Sequence, residues 1–261
     1  MIIIKHLKYT TLILSIFMLF LFVAFIIMPT DKYDDNGDNI NMDDTINNEI
    51  IDKYNTVCKK VVPYIVNAKV TVEDKQYIGQ VLEDKQNGTT YHITINNESN
   101  WFDKYYVSII DVKPFSYELL KDDEIELFVN FSSFNIDSEY FIWVDLYRIQ
   151  TYLLKKENNY FKLINRFNCA TGANITPTKR GFYKITNKGT HFYSRDNTYI
   201  CYNFLQYSGS YLLHSFPYSL DKKILDDRVN VRVSNGCIRF DFETSKYLYD
   251  VIPLGTNIWV N

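Results

Sequence analysis

From residue 69 to the C-terminus the chain repeats one pattern: a short run of alternating aromatic or β-branched residues, cut off by a turn signal. Such runs fall at 69–73, 77–82, 91–95 and 105–110, with Lys85-Gln86-Asn87-Gly88 and Asn96-Asn97 between them. They resume at 140–146, 151–155, 160–168, 190–193, 199–205 and 211–214, with Glu157-Asn158-Asn159 as one of the breaks. A period of two bounded by Asn, Asp and Gly specifies half-buried strands joined by tight turns. Aromatics make up 16% of the chain, with 22 Tyr and 18 Phe, and such side chains fit a pleated surface. One helix stands out, at 242–252, with Asp241 as its N-cap and Pro253 and Gly255 as its stop. The expected fold is mainly β with one packed helix.

The N-terminus follows different rules. Lys5 and Lys8 precede an apolar run at 11–28 whose polar members are Thr11 and Ser15. As a helix it reaches roughly 27 Å, near the thickness of a bilayer core. Asp31, Asp34, Asp35 and Asp38 follow it, so the basic side is expected inside and the remainder outside. No small-residue cleavage site lies between Phe25 and Lys32, which favours an uncleaved signal anchor over a removed signal peptide. The segment 31–49 is rich in Asp and Asn and poor in large apolar groups, the composition of a solvated tether. The chain therefore divides into a short inner tail and transmembrane anchor (1–30), an acidic tether (31–49), a small β-rich module (50–136) that could open with a short helix, and a second β-rich unit (137–261).

Charge and metal-ligand spacing remove several functions. There are 28 Lys+Arg against 31 Asp+Glu, a formal net charge of -3, and so no electrostatic case for a nucleic-acid partner. Cys58, Cys169, Cys201 and Cys237 are far apart, the four histidines are scattered, and neither C-x-x-C nor H-E-x-x-H occurs. A structural zinc site is not expected. The thiols read as free, with Cys169–Cys201 the one bridge worth testing.

Chemistry concentrates in Ser234-Asn235-Gly236-Cys237-Ile238-Arg239. A cysteine is a nucleophile as its thiolate, which calls for a basic or positive neighbour. Gly236 permits a tight turn, and backbone N–H groups around Gly236 and Cys237 could form an oxyanion hole. Arg239 and the following helix start would favour the thiolate. An isolated Gly-Cys in a β-protein is more often a buried, inert thiol, and a lone His214 more often structural. Together they differ: His214 ends a strand-like run, a loop follows, and Gly-Cys comes 23 residues later. That is a nucleophile–base layout, with the base first.

On these motifs the stretch from about 140 to 261 resembles the catalytic domain of the L,D-transpeptidases, the YkuD-like fold. His214 and Ser234–Arg239 match the family signature. Ile142-Trp143-Val144-Asp145-Leu146 resembles its opening strand and residues 253–260 its closing one. Cys169-Ala170-Thr171-Gly172 and Thr176-Pro177-Thr178 resemble its Ser-Thr-Gly and Thr-Pro-Thr elements. Asn235 departs from the commoner His, and the loop 216–232 is long enough to suggest a lid.

The resemblance implies a β-sandwich or barrel and a peptidoglycan cross-linking enzyme of the outer membrane face. Cys237 would attack the third-residue carbonyl of a stem tetrapeptide. His214 would act as base and then acid, its other nitrogen held by the Ser215 carbonyl. An amine of a second stem would resolve the thioester, with no metal or organic cofactor required. Asn235 and Arg239 are the substrate-binding candidates, and the module at 50–136 would bind wall glycan or act as a spacer. Three readings compete: an L,D-carboxypeptidase or other wall-peptide hydrolase with water as acceptor, a sortase (whose Thr-Leu-x-Thr-Cys is missing here), and a catalytically dead wall-binding module.

Overall fold

The structure is a computed structural model that describes residues 42–85, 88–110 and 118–261. The expected transmembrane run at 11–28 and most of the tether lie outside the described residues. Among those described, no helix is long and apolar enough to cross a membrane. Residues 48–261 form one compact unit.

The chain opens with helix α1 (Met42–Lys60), which begins inside the stretch read as an extended tether. A five-stranded sheet follows, built from β1 (Val66–Val72), β2 (Lys75–Lys85), β3 (Thr90–Ile95), β4 (Glu98–Asp103) and β5 (Val107–Ile109), ordered β4-β3-β2-β1-β5. Glu73-Asp74 and Asn96-Asn97 close its hairpins with positive φ at both central residues, the geometry that matches strand twist. Helix α2 (Asp122–Phe131) then buries Ile125, Phe128 and Val129, spaced one turn apart.

The second half makes two more sheets. β6 (Tyr140–Asp145), β7 (Gln150–Glu157), β8 (Tyr160–Asn168), β10 (Gly181–Lys184) and β17 (Asn257–Val260) form one, ordered β10-β17-β6-β7-β8. The other holds β9 (Ala170–Gly172), β11 (Asn187–Tyr193), β12 (Tyr199–Ser208), β13 (Tyr211–Ser215), β14 (Tyr218–Ser219), β15 (Val231–Ser234) and β16 (Ile238–Phe240). Its path runs β11-β12-β13-β16-β9-β15, with β14 on β12. Helix α3 (Phe242–Val251) packs across β12 and β13.

The sheet containing β6 is covered on both faces, which is why Phe141, Ile142, Trp143 and Val144 are all fully buried. One face joins Leu205, Leu213, Ile238 and Phe240 of the neighbouring sheet and Leu248 of α3. The other carries Trp143 and Phe141 against Val57 of α1 and Phe128 of α2. Tyr64, Val66, Ala68, Val81 and Ile93 of the first sheet belong to the same core as Ile142 and Leu213. The N-terminal β-region and the second unit thus share one hydrophobic interior.

The fold is mainly β, as the alternation requires, but the described residues hold three α-helices where the sequence marks one by its cap and stop signals. α2 sits inside the module read as β-rich. Its acidic first turn, Asp122-Asp123-Glu124, suits the positive end of a helix dipole. Asn130 exchanges hydrogen bonds with the Phe161 backbone (2.7 and 2.9 Å), so this helix covers the outer strand β8.

Candidate active site

Cys237 stands one residue before β16, and His214 is the fourth residue of β13. The two strands pair in parallel, Leu213 with Ile238, His214 with Arg239 and Ser215 with Phe240. That register sets Cys237 level with Leu212. Because side chains alternate, Cys237, Arg239 and His214 share one face of the sheet, while Leu213 and Ile238 point into the core. Two residues of strand, roughly 6.6 Å of rise, separate the levels of thiol and imidazole.

His214 is buried, with the ring of Phe192 edge-on at 5.1 Å. Its Nδ1 lies 2.6 Å from the Ser215 carbonyl oxygen. A carbonyl can only accept, so Nδ1 carries the proton and Nε2 keeps its lone pair for incoming hydrogen. Burial pulls the imidazole pKa down to about 3; the Ser215 hydrogen bond opposes this and the Arg239 charge adds to it. The ring is therefore a neutral base of fixed tautomer. Ser215 is itself pinned, its hydroxyl accepting the Tyr202 N–H (2.8 Å) and donating to the Phe216 carbonyl (2.8 Å).

Cys237 is partly exposed. Its thiol donates to the Ser210 carbonyl at 3.5 Å, in the turn between β12 and β13. Burial raises its pKa above the ordinary thiol value, against the lowering effects of the Leu212 backbone N–H and Arg239. Arg239 favours the thiolate, as its charge requires, but burial outweighs it. The N-terminus of α3 is taken up by Asp241, which accepts the Thr244 N–H at 2.7 Å. Arg239 Nη1 faces Asp226 at 3.4 Å, and Asp226 also accepts from Arg228 Nε at 2.8 Å. The Arg239–Asp226 pair ties the loop 216–232 to β16, and within the loop Leu225 N–H donates to the Pro217 carbonyl (2.9 Å).

The turn before the nucleophile is organised by Ser234. Its hydroxyl donates to the Cys237 carbonyl (2.5 Å) and accepts the Gly236 N–H (3.1 Å). Gly236 N–H, the expected oxyanion donor, is engaged by the Ser234 hydroxyl within the turn. Gly236 is needed for shape: its φ is +103, and a Cβ there would come within 2.7 Å of the Tyr211 ring. The Thr-Gly and Thr-Pro-Thr elements buttress the same turn. Thr176 Oγ1 donates to the Ser234 carbonyl (2.8 Å), and Gly172 N–H donates to Thr178 Oγ1 (2.8 Å).

Asn235 is exposed and lines a cavity of about 340 Å³ whose wall includes Ser210, the acceptor of the Cys237 thiol. Its other walls include the adjoining Tyr211, Lys179, and Glu83, Asp84 and Lys85 from β2. The first sheet, read from sequence as carrying no chemistry, therefore contributes three charged side chains to the cleft. No sequence signal marked them, because a β-bulge between Val81 and Glu83 decides which way they point. Cys58, Cys169 and Cys201 are free thiols. Among the described residues no group of three or more His, Cys, Asp or Glu could hold a metal ion.

Residues 139–260 match the family model described as YkuD, the L,D-transpeptidase catalytic domain. The resemblance carried by the motifs holds over that stretch. YciB of Bacillus subtilis (strain 168), named as a candidate L,D-transpeptidase, is 26% identical over 128 residues, 46% of this chain and 66% of that protein. A solved structure from Clostridium acetobutylicum ATCC 824, named for fused Zn-dependent amidase, peptidase and peptidoglycan-binding domains, is 32% identical with a TM-score of 0.46. The match covers 54% of this chain and 59% of that one. An L,D-transpeptidase from Mycobacterium smegmatis is 14% identical with a TM-score of 0.40, covering 67% of each chain.

Proposed function

With residues 139–260 matching an L,D-transpeptidase catalytic domain, we propose that this chain joins peptidoglycan stem peptides through a thioester on Cys237. The observation that carries the reading is the His214 imidazole: neutral, of fixed tautomer, and on the same sheet face as Cys237. A donor carbonyl entering over Cys237 draws the thiol away from Ser210, and its proton passes to His214 Nε2 as sulfur attacks. A neutral thiol and neutral imidazole need no resting ion pair. The imidazolium formed is held by Ser215 and then protonates the departing amine, so the C–N bond breaks as the thioester is completed. Ser215 takes the place of the carboxylate in a Ser-His-Asp triad. An amine of a second stem attacks the thioester, expels the thiol and leaves a new amide.

Arg239 acts in this reading as the anchor of the loop 216–232 through Asp226, and Asn235 as a wall of the cleft. The work is set outside the membrane, with the chain held by the run at 11–28, because Lys5 and Lys8 precede that run and the Asp-rich segment follows it.

The test is to incubate the protein with disaccharide-tetrapeptide and weigh the products. A dimer lighter than two substrates by one alanine is expected. A tripeptide with no dimer would make the enzyme a carboxypeptidase, and unchanged substrate would refute the assignment.

A further inference from the structure

The cleft walled by Ser210 and Asn235 contains one carboxylate whose position the fold had to arrange. In β2, Val81 pairs with Ile93 and both are buried in the core. Simple alternation would put residue 83 on that inner face as well. The bulge shifts the register, so Glu83 pairs with His92 on the outer face and Asp84 with Tyr91 on the inner one. Tyr91 is buried and donates its hydroxyl to the Ile175 carbonyl (3.0 Å), which shows that this face abuts the catalytic unit. Asp84 is thus turned toward Tyr211 and the 208–210 turn, where Ser210 receives the Cys237 thiol.

The other charges of the cleft are committed. Lys179 pairs with Glu83 at 2.9 Å, and the Lys85 ammonium lies over the Trp101 ring at 4.1 Å. Asp84 accepts the Gly88 N–H at 2.8 Å and is approached by the Tyr211 hydroxyl. Among the described residues it has no cationic partner. A partly buried carboxylate held by neutral donors, at the wall of a cavity of about 340 Å³, is a receptor for a positive group.

We propose that Asp84 binds the side-chain ammonium of the acceptor stem peptide and thereby selects an amine over water as the second substrate. This rests on the transpeptidase reading above. In the transfer step the bound ammonium first gives one proton to water in the cleft. The free amine then attacks the thioester carbonyl: the C–N bond forms, the C–S bond breaks, and the second amine proton passes through His214 to sulfur, restoring the thiol. Asp84 takes no part in donor acylation, so it is a binding residue for the second half-reaction alone. Burial raises its pKa, and an arriving ammonium would bring it back down.

The experiment uses the full-length protein in detergent with a tetrapeptide donor and Nα-acetyl-lysine amide as acceptor. Release of the donor's terminal residue without acceptor reports acylation and hydrolysis; adduct formation against acceptor concentration reports the acceptor KM. Asp84→Asn keeps an oxygen for the Gly88 N–H, so its acylation rate should match wild type. Its acceptor KM should rise about tenfold or more, with product shifting from transfer to hydrolysis. Asp84→Glu, which keeps the charge, should recover much of the acceptor affinity. Glu98→Gln, exposed on β4 of the same sheet and outside the cleft, should change it less than about threefold. An acceptor KM within twofold of wild type in Asp84→Asn overturns the inference while leaving the transpeptidase assignment standing. Failure of the wild-type protein to release the donor's terminal residue overturns that assignment, and this inference with it.

Discussion

His214 shows how much one side chain's surroundings decide. Its Nδ1–H is used by Ser215, and its burial makes a second proton costly. With a folded pKa of about 3 against an unfolded value of 6.5, the unfolded chain binds more protons between those pH values. Stability attributable to this group is therefore complete above 6.5 and is lost as pH falls toward 3, by at most about 1.4 kcal/mol per pH unit. His214→Gln removes the titration. Melting curves at pH 4 to 7 should show wild type losing stability faster than the variant on acidification; parallel losses would mean the imidazole is solvated. Gly-Cys after a strand-end His is a chemically specific layout, which is why the sequence singles out His214 and Cys237, and the structure sets both on one sheet face. The sequence did not expose the engagement of Gly236 N–H by Ser234, which depends on a hydroxyl rotamer, or the tie from Arg239 to Asp226, whose partner lies in an unpatterned loop.

At the scale of elements, strands announced themselves by alternation and α3 by its cap and stop signals. α2 was missed although Asp122-Asp123-Glu124 and the spacing of Ile125, Phe128 and Val129 are helical signs; its ten residues sit among strands and lost to the surrounding period. The bulge in β2 has no sequence mark at all, and with it went the cleft's charged wall. The larger finding is that the first sheet is packed into the same interior as the second unit. Arg232 lies over the Tyr64 ring at 3.7 Å and donates to the Leu146 carbonyl, and the Tyr64 hydroxyl donates to Asn174. Removing residues 1–136 would bare the inner faces that Val66, Ala68, Val81 and Phe128 cover. A 137–261 fragment should lack a cooperative melt by circular dichroism, whereas 42–261 should unfold in one transition. A cooperative, soluble 137–261 fragment would show the sheet to be dispensable for folding.

For the whole molecule, the sequence marks three kinds of segment by their physics: an apolar run and an Asp-rich spacer, which lie largely outside the described residues, and alternating strands. If the run at 11–28 anchors the chain as proposed, protease added to intact cells should remove everything beyond Asp31; protection would place the enzyme on the other side. The destination of the acyl group decides the mechanism. Full-length protein mixed with a tetrapeptide donor, quenched in acid and digested, should yield an acylated peptide containing Cys237. The adduct should be absent in Cys237→Ala and form about 10²–10⁴-fold more slowly in His214→Ala. An adduct on another residue, or acylation undiminished by loss of His214, would contradict it.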